Sequence, residues 1–118
     1  MKVMVFGSNR QGFHGAGAAL FAFRERGAIL GQKEGLQGNS YAIPTKELRK
    51  NKPPVTLAEV KEGVDRFLRF ARKHPEMTFE LTPIGCGLAG FHPWEIAPLF
   101  ADAPSNVEIP EVFREYLQ

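Results

Sequence analysis

Glycine is concentrated in three short stretches of the sequence, and glycine-rich loops are common where proteins bind phosphate. The stretches cover residues 7–17, 31–38 and 85–90 and hold ten of the twelve glycines. Glycine allows positive φ angles and lets backbone N–H groups approach an anion closely. Tight turns alone also require glycine, and they are the alternative interpretation. We therefore expect a phosphate or nucleotide cleft built from backbone amides.

The first stretch has the spacing of a nucleotide-binding P-loop but lacks its functional residues. Gly7 and Gly12 are separated by four residues, as in G-x-x-x-x-G-K-[ST]. Phe13 and His14 stand where the lysine and the hydroxyl residue must be. Without them nothing would reach the β- and γ-phosphates or hold magnesium. The sequence excludes a P-loop.

The third stretch contains G-x-G-x-x-G, the fingerprint of dinucleotide-binding Rossmann units, at Gly85, Gly87 and Gly90. That fingerprint normally opens the first strand–helix–strand unit of a domain, whereas only 28 residues follow Gly90. A helix also cannot begin directly on the glycines, because residues 91–93 (Phe-His-Pro) intervene. We expect these glycines to form a different phosphate-binding loop.

Few side chains near the glycine stretches could take part in a reaction. Asn9 could hydrogen-bond a ribose or orient a water, although asparagine is also common in Asx turns. Lys46 could pair with phosphate, act as a nucleophile if its pKa were lowered, or be one of several solvated lysines. His14 could bind phosphate or transfer a proton, or be structural. Cys86 is not expected to be a nucleophile, because no histidine is placed to activate it.

The elements that would carry these residues alternate between strands and helices. Thr56 and Glu59 form a capping box, and apolar residues then recur at helical spacing until His74–Pro75 ends the helix. This alternation indicates an α/β domain with a largely parallel sheet, which binds ligands at the carboxyl ends of its strands. The predicted strands are 2–6, 28–30, 40–44, 78–84 and 107–109, and the other predicted helices are 16–26, 93–101 and 110–117.

Length, charge and composition are those of an ordinary globular domain. Its 118 residues fit one domain. Lys and Arg outnumber acids nine to three in residues 1–58 but are outnumbered ten to six in residues 59–118, so the first half should attract anions. The single cysteine fits a reducing compartment. With no membrane-length apolar run, no signal-peptide pattern and no metal-ligand spacing of histidines, we expect a cytoplasmic protein without metal or cofactor.

Taken in order, the three stretches resemble the macro domain, the ADP-ribose-binding fold, over nearly the whole chain. VFGSN followed by GFHGAGAA resembles that family's asparagine motif and glycine-rich segment, and GLQGNSYAIPTK resembles its middle turn and strand. TPIGCGLAGF is similar to its second phosphate-binding loop. The resemblance implies a single three-layer α/β/α macro-like domain over residues 1–118, with a mostly parallel central sheet, that binds ADP-ribose.

Within the superfamily the chain looks most like the branch of the terminal ADP-ribose protein glycohydrolase and the antitoxin that removes ADP-ribose from DNA. In that branch a lysine after the middle strand and an aspartate in a GCGLD loop carry the hydrolysis. Lys46 matches the lysine, and Ala89 stands where the aspartate would be. The resemblance thus implies Lys46 and Asn9 as catalytic candidates. The ligand-binding candidates that it implies are Gly7, Ser8, Asn9, His14, Gly15, Ala16, Gly17, Gly38, Thr45, Lys46, Ile84, Gly85, Cys86, Gly87, Leu88, Ala89, Gly90 and Phe91.

Three functions are compatible with these features. The first is binding of ADP-ribose, free or conjugated to protein or nucleic acid, with hydrolysis of the ADP-ribosyl linkage. The second is a non-catalytic reader or sequestering module for ADP-ribose or another NAD-derived nucleotide, which Ala89 favours. The third is a single-stranded nucleic-acid binder that uses Arg10, Lys46 and the basic residues of segment 49–52. Neither a membrane nor an obligate protein partner is expected.

Overall fold

Strands and helices alternate along the chain, as predicted for an α/β domain. The computed structural model describes residues 2–117. Within them the strands are β1 (Lys2–Asn9), β2 (Gly35–Gln37), β3 (Ser40–Lys46), β4 (Thr78–Leu81) and β5 (Val107–Glu108). The helices are α1 (Gly17–Glu25), α2 (Leu57–Lys73), α3 (Pro93–Ile96) and α4 (Glu111–Arg114), and a 3₁₀ helix (Ala97–Phe100) follows α3.

The strand β1 lies at the centre of a five-stranded mixed sheet with the order β2–β3–β1–β4–β5. It is parallel to β3 and to β4, β4 is parallel to β5, and β2 is antiparallel to β3. Residues 3–6 are all buried, because a central strand is covered on both faces. The carboxyl ends of β1, β3 and β4 therefore meet at one end of the sheet.

Side chains alternate along β1 between two apolar clusters. Val3 and Val5 belong to the larger cluster, which includes the buried face of α2. Met4 and Phe6 belong to a smaller cluster, to which α1 contributes only alanines. Successive side chains of a strand point to opposite faces, so α1 and α2 pack against opposite faces of β1. The small alanine side chains of α1 bring this helix close to the sheet.

The helix α2 confirms the prediction drawn from its capping box. Thr56 Oγ1 accepts a hydrogen bond from Glu59 N (3.2 Å), and Glu59 Oε1 accepts one from Thr56 N (3.1 Å). Phe67 anchors the helix, because its ring packs against those of Tyr41 (centroids 4.9 Å apart) and Phe79 (5.2 Å). The buried residues of α2 are Val60, Gly63, Val64, Phe67, Leu68 and Ala71.

The region between α1 and β3 differs from its prediction. The predicted strand 28–30 is wrong, and the structure instead has β2 at residues 35–37, inside the segment predicted to be a glycine loop. The reason is that Ile29 N donates to the side-chain oxygen of Gln37 (2.8 Å) rather than to a neighbouring strand. Gly35, with a φ of +95°, is the first residue of β2, and Gly38, with a φ of +60°, follows its last residue.

Strand ends also differ from their predicted positions. β1 and β3 continue past residues 6 and 44 to Asn9 and Lys46, whereas β4 ends at Leu81 rather than at residue 84. Thr82 N still bonds to Val5 O (3.1 Å), but Pro83 has no N–H to continue the ladder. The longer β1 and β3 carry their polar residues up to the end of the sheet.

Candidate functional site

A cleft of about 440 Å³ opens at the carboxyl ends of β1, β3 and β4. Its volume falls in the range of roughly 300–1,000 Å³ that small-molecule sites occupy. Four segments contribute: β1 with the loop after it, the first turn of α1, the end of β3 with the residues after it, and the loop after β4. The lining residues are Gly7, Ser8, Asn9, Phe13, Gly15, Ala16, Gly17, Ala18, Ala19, Thr45, Lys46, Leu48, Thr82, Pro83, Ile84, Gly85, Gly87, Leu88 and Ala89.

Glycines allow the chain segments at the ends of the three strands to pack closely together. A Cβ atom on Gly7 would lie 3.0 Å from Thr45 Oγ1 and 3.3 Å from Gly85 N. Gly85 has a φ of +73°, a conformation that glycine adopts readily. These two glycines let the ends of β1 and β3 and the loop after β4 converge. A larger residue at Gly7 would separate these segments.

The helix α1 begins at the wall of the cleft. Ala16 is its N-cap and makes no side-chain hydrogen bond to the helix. Gly17, Ala18 and Ala19 follow it and also line the cleft. The first N–H groups of an α-helix have no partner within the helix, and the helix dipole gives this end a partial positive charge. The wall can therefore donate hydrogen bonds to an anion.

Asn9 braces the loop between β1 and α1. Its Nδ2 donates to Phe13 O (2.7 Å), and its Oδ1 accepts from Phe13 N (2.9 Å). An amide has two N–H groups and two oxygen lone pairs, so one donor and one acceptor position are left for a ligand. Asn9 thus lines the cleft, but much of its side chain is engaged in holding the loop.

The hydroxyl groups that line the cleft also serve the protein itself. Ser8 Oγ donates to Lys33 O, Thr45 Oγ1 donates to Ser8 O (3.2 Å), and Thr82 Oγ1 donates to Val5 O (2.7 Å). A hydroxyl that already donates can still accept a hydrogen bond. These three groups therefore fix the backbone rather than act as free nucleophiles.

Lys46 is the one charged side chain among the lining residues, which include no Asp, Glu or His. Within residues 2–117 its ammonium forms no salt bridge. A cleft with one cation, no carboxylate and a helix N-terminus has a positive local potential. It suits an anionic ligand.

An ionic cluster around one buried carboxylate lies next to Lys46 in the chain; we call it the Glu47 cluster, and it comprises Glu47, Arg10, Gln11 and Arg49. The side chain of Glu47 is only 2% exposed. Its carboxylate accepts hydrogen bonds from Arg49 N (2.9 Å), Gln11 Nε2 (2.6 Å) and Arg10 Nη1 (3.3 Å). These bonds, those of Arg49 above all, lower the pKa of Glu47 to about 2. Arg10 also pairs with Glu59 (2.7 Å).

The low pKa of Glu47 predicts a specific acid sensitivity. An ionised Glu47 is favoured in the folded state, so its contribution to stability is complete above the ordinary carboxyl pKa of 4.5 and is lost as the pH falls towards 2. We expect Glu47→Gln to have a melting temperature that falls less steeply than that of the unsubstituted protein over this window. Thermal melts at closely spaced pH values measure the slopes, and equal slopes would contradict the assignment.

His14 lies outside the cleft, although its neighbours Phe13 and Gly15 line it. Its side chain is 1% exposed and packs edge-on against Phe6. Two carbonyl oxygens, those of Ile29 (2.9 Å) and the Gln37 side chain (3.2 Å), face Nε2, so this nitrogen carries the proton. Nδ1 has no hydrogen-bond partner among the described residues. His14 therefore ties the loop before α1 to the segment after it.

Gly38 also lies outside the cleft, at the opposite end of β3. It occupies the turn between β2 and β3, and a Cβ atom on it would lie 2.7 Å from Gly27 Cα. Asn39 N donates to Arg26 O in the same place (2.8 Å). The glycine allows this turn to pack against the end of α1. A residue that precedes β3 cannot reach the cleft at the strand's carboxyl end.

Three candidates in the loop after β4 are near the cleft but do not line it. Phe91 packs against the larger apolar cluster, and its N–H bonds to Gly85 O (2.8 Å). Cys86 is half-buried against the same cluster, and burial raises the pKa of its thiol. Gly90 N closes a turn onto Gly87 O (3.1 Å). These residues shape the loop that presents Gly87, Leu88 and Ala89.

Phe13 is the most informative lining residue that the sequence reasoning missed. Its side chain is 60% exposed, and a Cβ atom on Gly15 would lie 2.3 Å from the Phe13 ring. The ring therefore lies directly against Gly15. Leu48 and Leu88 are also exposed at the cleft. Exposed apolar side chains that converge on one cleft are typical of a binding surface. In the sequence, the only sign of this surface was the pattern Phe13-His14-Gly15. Ala18, Ala19, Thr82 and Pro83 also line the cleft and were not predicted.

Two other depressions lack these features. One of about 590 Å³ lies at the edge strand β5 and is lined by Glu108 and Arg114, among others. One of about 360 Å³ lies between α2 and the 3₁₀ helix, where Arg72 donates to Asp102 O (2.9 Å). Neither is lined by a glycine loop or by the carboxyl ends of β1, β3 and β4. Carboxylate residues line both of them. We therefore assign the candidate site to the cleft.

Residues 2–117 include no helix long and apolar enough to cross a membrane. The same residues contain no group of three or more His, Cys, Asp and Glu side chains that could hold a metal ion.

Comparison with protein-family models, with curated proteins and with solved structures found no match to this chain. The residues that line the cleft are therefore the basis for a functional assignment.

Proposed function

We propose that the protein binds ADP-ribose, free or attached to protein or nucleic acid, in the cleft at the carboxyl ends of β1, β3 and β4. The observation that carries this proposal is the composition of the cleft. Residues of two glycine loops and of a helix N-terminus line it together with one lysine, and no lining residue carries a carboxylate. A ligand for such a site has a dense negative charge, as a pyrophosphate does.

The apolar part of the cleft supports a nucleotide over a simple phosphate. Phe13, Leu48 and Leu88 come from three different loops and present exposed apolar surface at the same site. Base stacking on an aromatic ring contributes about 1–3 kcal/mol. In the proposed complex the pyrophosphate lies between Lys46 and the first turn of α1, and a base or ribose lies on Phe13.

The proposal includes a macro-like, three-layer fold with a mostly parallel sheet. Support comes from the parallel pairing of β1 with β3 and with β4, and from the alternation of β1 side chains between the α1 and α2 clusters. The short antiparallel β2 departs from a wholly parallel sheet.

We propose binding without rapid hydrolysis as the primary activity. Lys46 and Ala89 both line the cleft. In the sequence resemblance Lys46 matches the lysine of the hydrolases, and Ala89 stands where their aspartate would be. The lining residues include no carboxylate or imidazole to transfer a proton. This composition favours a reader or sequestering module over the ADP-ribosyl glycohydrolase alternative.

The nucleic-acid alternative receives less support. Two of its five proposed cations, Arg10 and Arg49, are engaged by Glu47 and Glu59. Their charges are locally compensated and attract a polyanion less than free arginines would.

The variant Lys46→Ala tests the proposed function. We expect calorimetry to show ADP-ribose binding that Lys46→Ala weakens roughly 10- to 100-fold, because a charge-assisted hydrogen bond contributes about 1.5–3 kcal/mol. Lys50→Ala, which removes an exposed lysine outside the cleft lining, is the matched control and should bind normally. The same proteins are incubated with ADP-ribosylated protein and DNA, from which we expect no release.

Other outcomes would point elsewhere. Release by the unsubstituted protein that Lys46→Ala abolishes would establish hydrolysis. Equal losses in Lys46→Ala and Lys50→Ala, together with salt-dependent binding of unmodified oligonucleotides, would favour the nucleic-acid binder. An absence of ADP-ribose binding would contradict the proposal.

A further inference from the structure

Lys46 and Leu48 both line the cleft, and the residue between them turns away from it. That residue is Glu47, whose side chain is almost wholly buried. Taking a carboxylate out of water is costly, and an apolar side chain could fill such a position without that cost. The carboxylate therefore has a role other than filling space.

The hydrogen-bond partners of Glu47 come from two chain segments. Oε1 accepts from Arg10 Nη1 (3.3 Å) and Arg49 Nη2 (3.1 Å). Oε2 accepts from Gln11 Nε2 (2.6 Å) and Arg49 N (2.9 Å). Arg10 and Gln11 follow β1, whereas Arg49 follows β3. Glu47 thus joins the segment after β3 to the segment after β1.

Two further hydrogen bonds hold the same two segments together. Arg10 N donates to Lys46 O (2.9 Å), and Leu48 N donates to the side-chain oxygen of Gln11 (3.0 Å). The register between β1 and β3 shifts at Ser8/Asn9, and β3 ends at Lys46. Beyond this point the regular ladder no longer fixes the chain. There, next to Lys46, the hydrogen bonds of the Glu47 cluster hold the two segments together.

We infer that Glu47 is a positioning residue that holds Lys46 at the cleft, where Lys46 meets the phosphates of the ligand; the inference rests on the proposed function. Arg10 and Arg49 neutralise Glu47, so the carboxylate orients segment 46–48 without cancelling the charge of Lys46. Its effect on the ligand passes through Lys46.

A double-mutant cycle tests this coupling. ADP-ribose affinity is measured by calorimetry for the unsubstituted protein, Glu47→Gln, Lys46→Ala and the double variant. We expect Glu47→Gln to weaken binding about tenfold in the unsubstituted protein but very little when Lys46 is already alanine, since residues that act together are non-additive.

A matched control separates positioning from general loosening. Glu34→Gln breaks another ion pair, with Arg66 (Nη2 to Oε1, 3.0 Å), and neither residue lines the cleft. We expect Glu34→Gln to bind like the unsubstituted protein. If Glu47→Gln does not fold, Gln11→Ala replaces it, because it removes two hydrogen bonds between the segments, those with Glu47 Oε2 and Leu48 N, without changing a charge. Gln11→Ala should reduce the affinity for ADP-ribose less than Glu47→Gln does, and it should have no effect in the Lys46→Ala background.

The outcomes distinguish this inference from the function on which it rests. Binding by the unsubstituted protein with an unchanged affinity in Glu47→Gln, or with equal losses in both backgrounds, would overturn the positioning role alone. A failure of the unsubstituted protein to bind ADP-ribose would overturn both.

Discussion

Substituting Gly87→Asp is expected to abolish ADP-ribose binding, with a loss of at least about 100-fold, while the protein stays folded. Gly87 lines the cleft, and a Cβ atom there would have no other atom within 4 Å. Its φ is not positive, so a side chain fits without strain. A carboxylate about 4 Å from a phosphate is repelled by roughly 4 kcal/mol at an effective dielectric of about 20. Calorimetry measures the affinity, and urea unfolding measures the stability.

The neutral variant Gly87→Asn is the control for the size of the new side chain. Asparagine has nearly the same shape as aspartate but carries no charge. Gly87→Asn should therefore lose much less affinity for ADP-ribose than Gly87→Asp does. Equal losses of affinity in the two variants would show that the size of the new side chain, and not its charge, weakens binding. Unchanged binding in Gly87→Asp would place the phosphates elsewhere.

Phe67→Ala is expected to lower the free energy of unfolding by about 3–5 kcal/mol, the usual cost of removing a buried phenylalanine ring. The side chain of Phe67 is 0% exposed. Its ring contacts those of Tyr41, Phe79 and Phe100, with centroids 4.9, 5.2 and 6.4 Å apart. These residues join α2 to β3, β4 and the 3₁₀ helix. Small domains have total stabilities of about 5–15 kcal/mol, so the variant would be close to unfolding.

Phe23→Ala is the matched control for this loss. It removes the same ring from α1, where the side chain is 40% exposed, and should cost less than about 1 kcal/mol. Urea unfolding of both variants gives the comparison. If Phe67→Ala cost no more than Phe23→Ala, the aromatic cluster would not be the anchor of α2.

Features with a local physical cause were predictable from the sequence. The capping box of Thr56 and Glu59 and the apolar face after it specify α2 regardless of the rest of the chain. The first glycine stretch begins in the last residues of β1, and the third begins shortly after β4 ends. Their place at the carboxyl ends of a sheet follows from parallel strand pairing.

The middle glycine stretch, residues 31–38, was predicted to lie at the phosphate cleft but lies outside it. Its glycines instead allow close packing of the backbone. Gly31 N bonds to Gly12 O (2.8 Å), and a Cβ atom on Gly12 would lie 2.5 Å from the Gly31 carbonyl carbon. Gly38 similarly packs on Gly27. Such contacts join residues that are far apart in sequence, and composition alone does not distinguish them from phosphate contacts.

The direction of individual side chains was the other feature that the sequence did not determine. Phe13 and His14 are adjacent, yet one lies exposed in the cleft and the other is buried with Phe6. Which of them faces the cleft depends on the backbone path that Asn9 fixes through its bonds to Phe13. The Glu47 cluster likewise depends on the register shift between β1 and β3.

Titration of ADP-ribose into isotope-labelled protein, followed by the backbone amide signals in NMR spectra, tests most directly whether this cleft is the binding site. We predict saturable shifts concentrated in residues 7–19, 45–48 and 82–89, the segments that line the cleft. No shifts, or shifts concentrated in residues 105–117 at the β5 depression, would contradict the assignment.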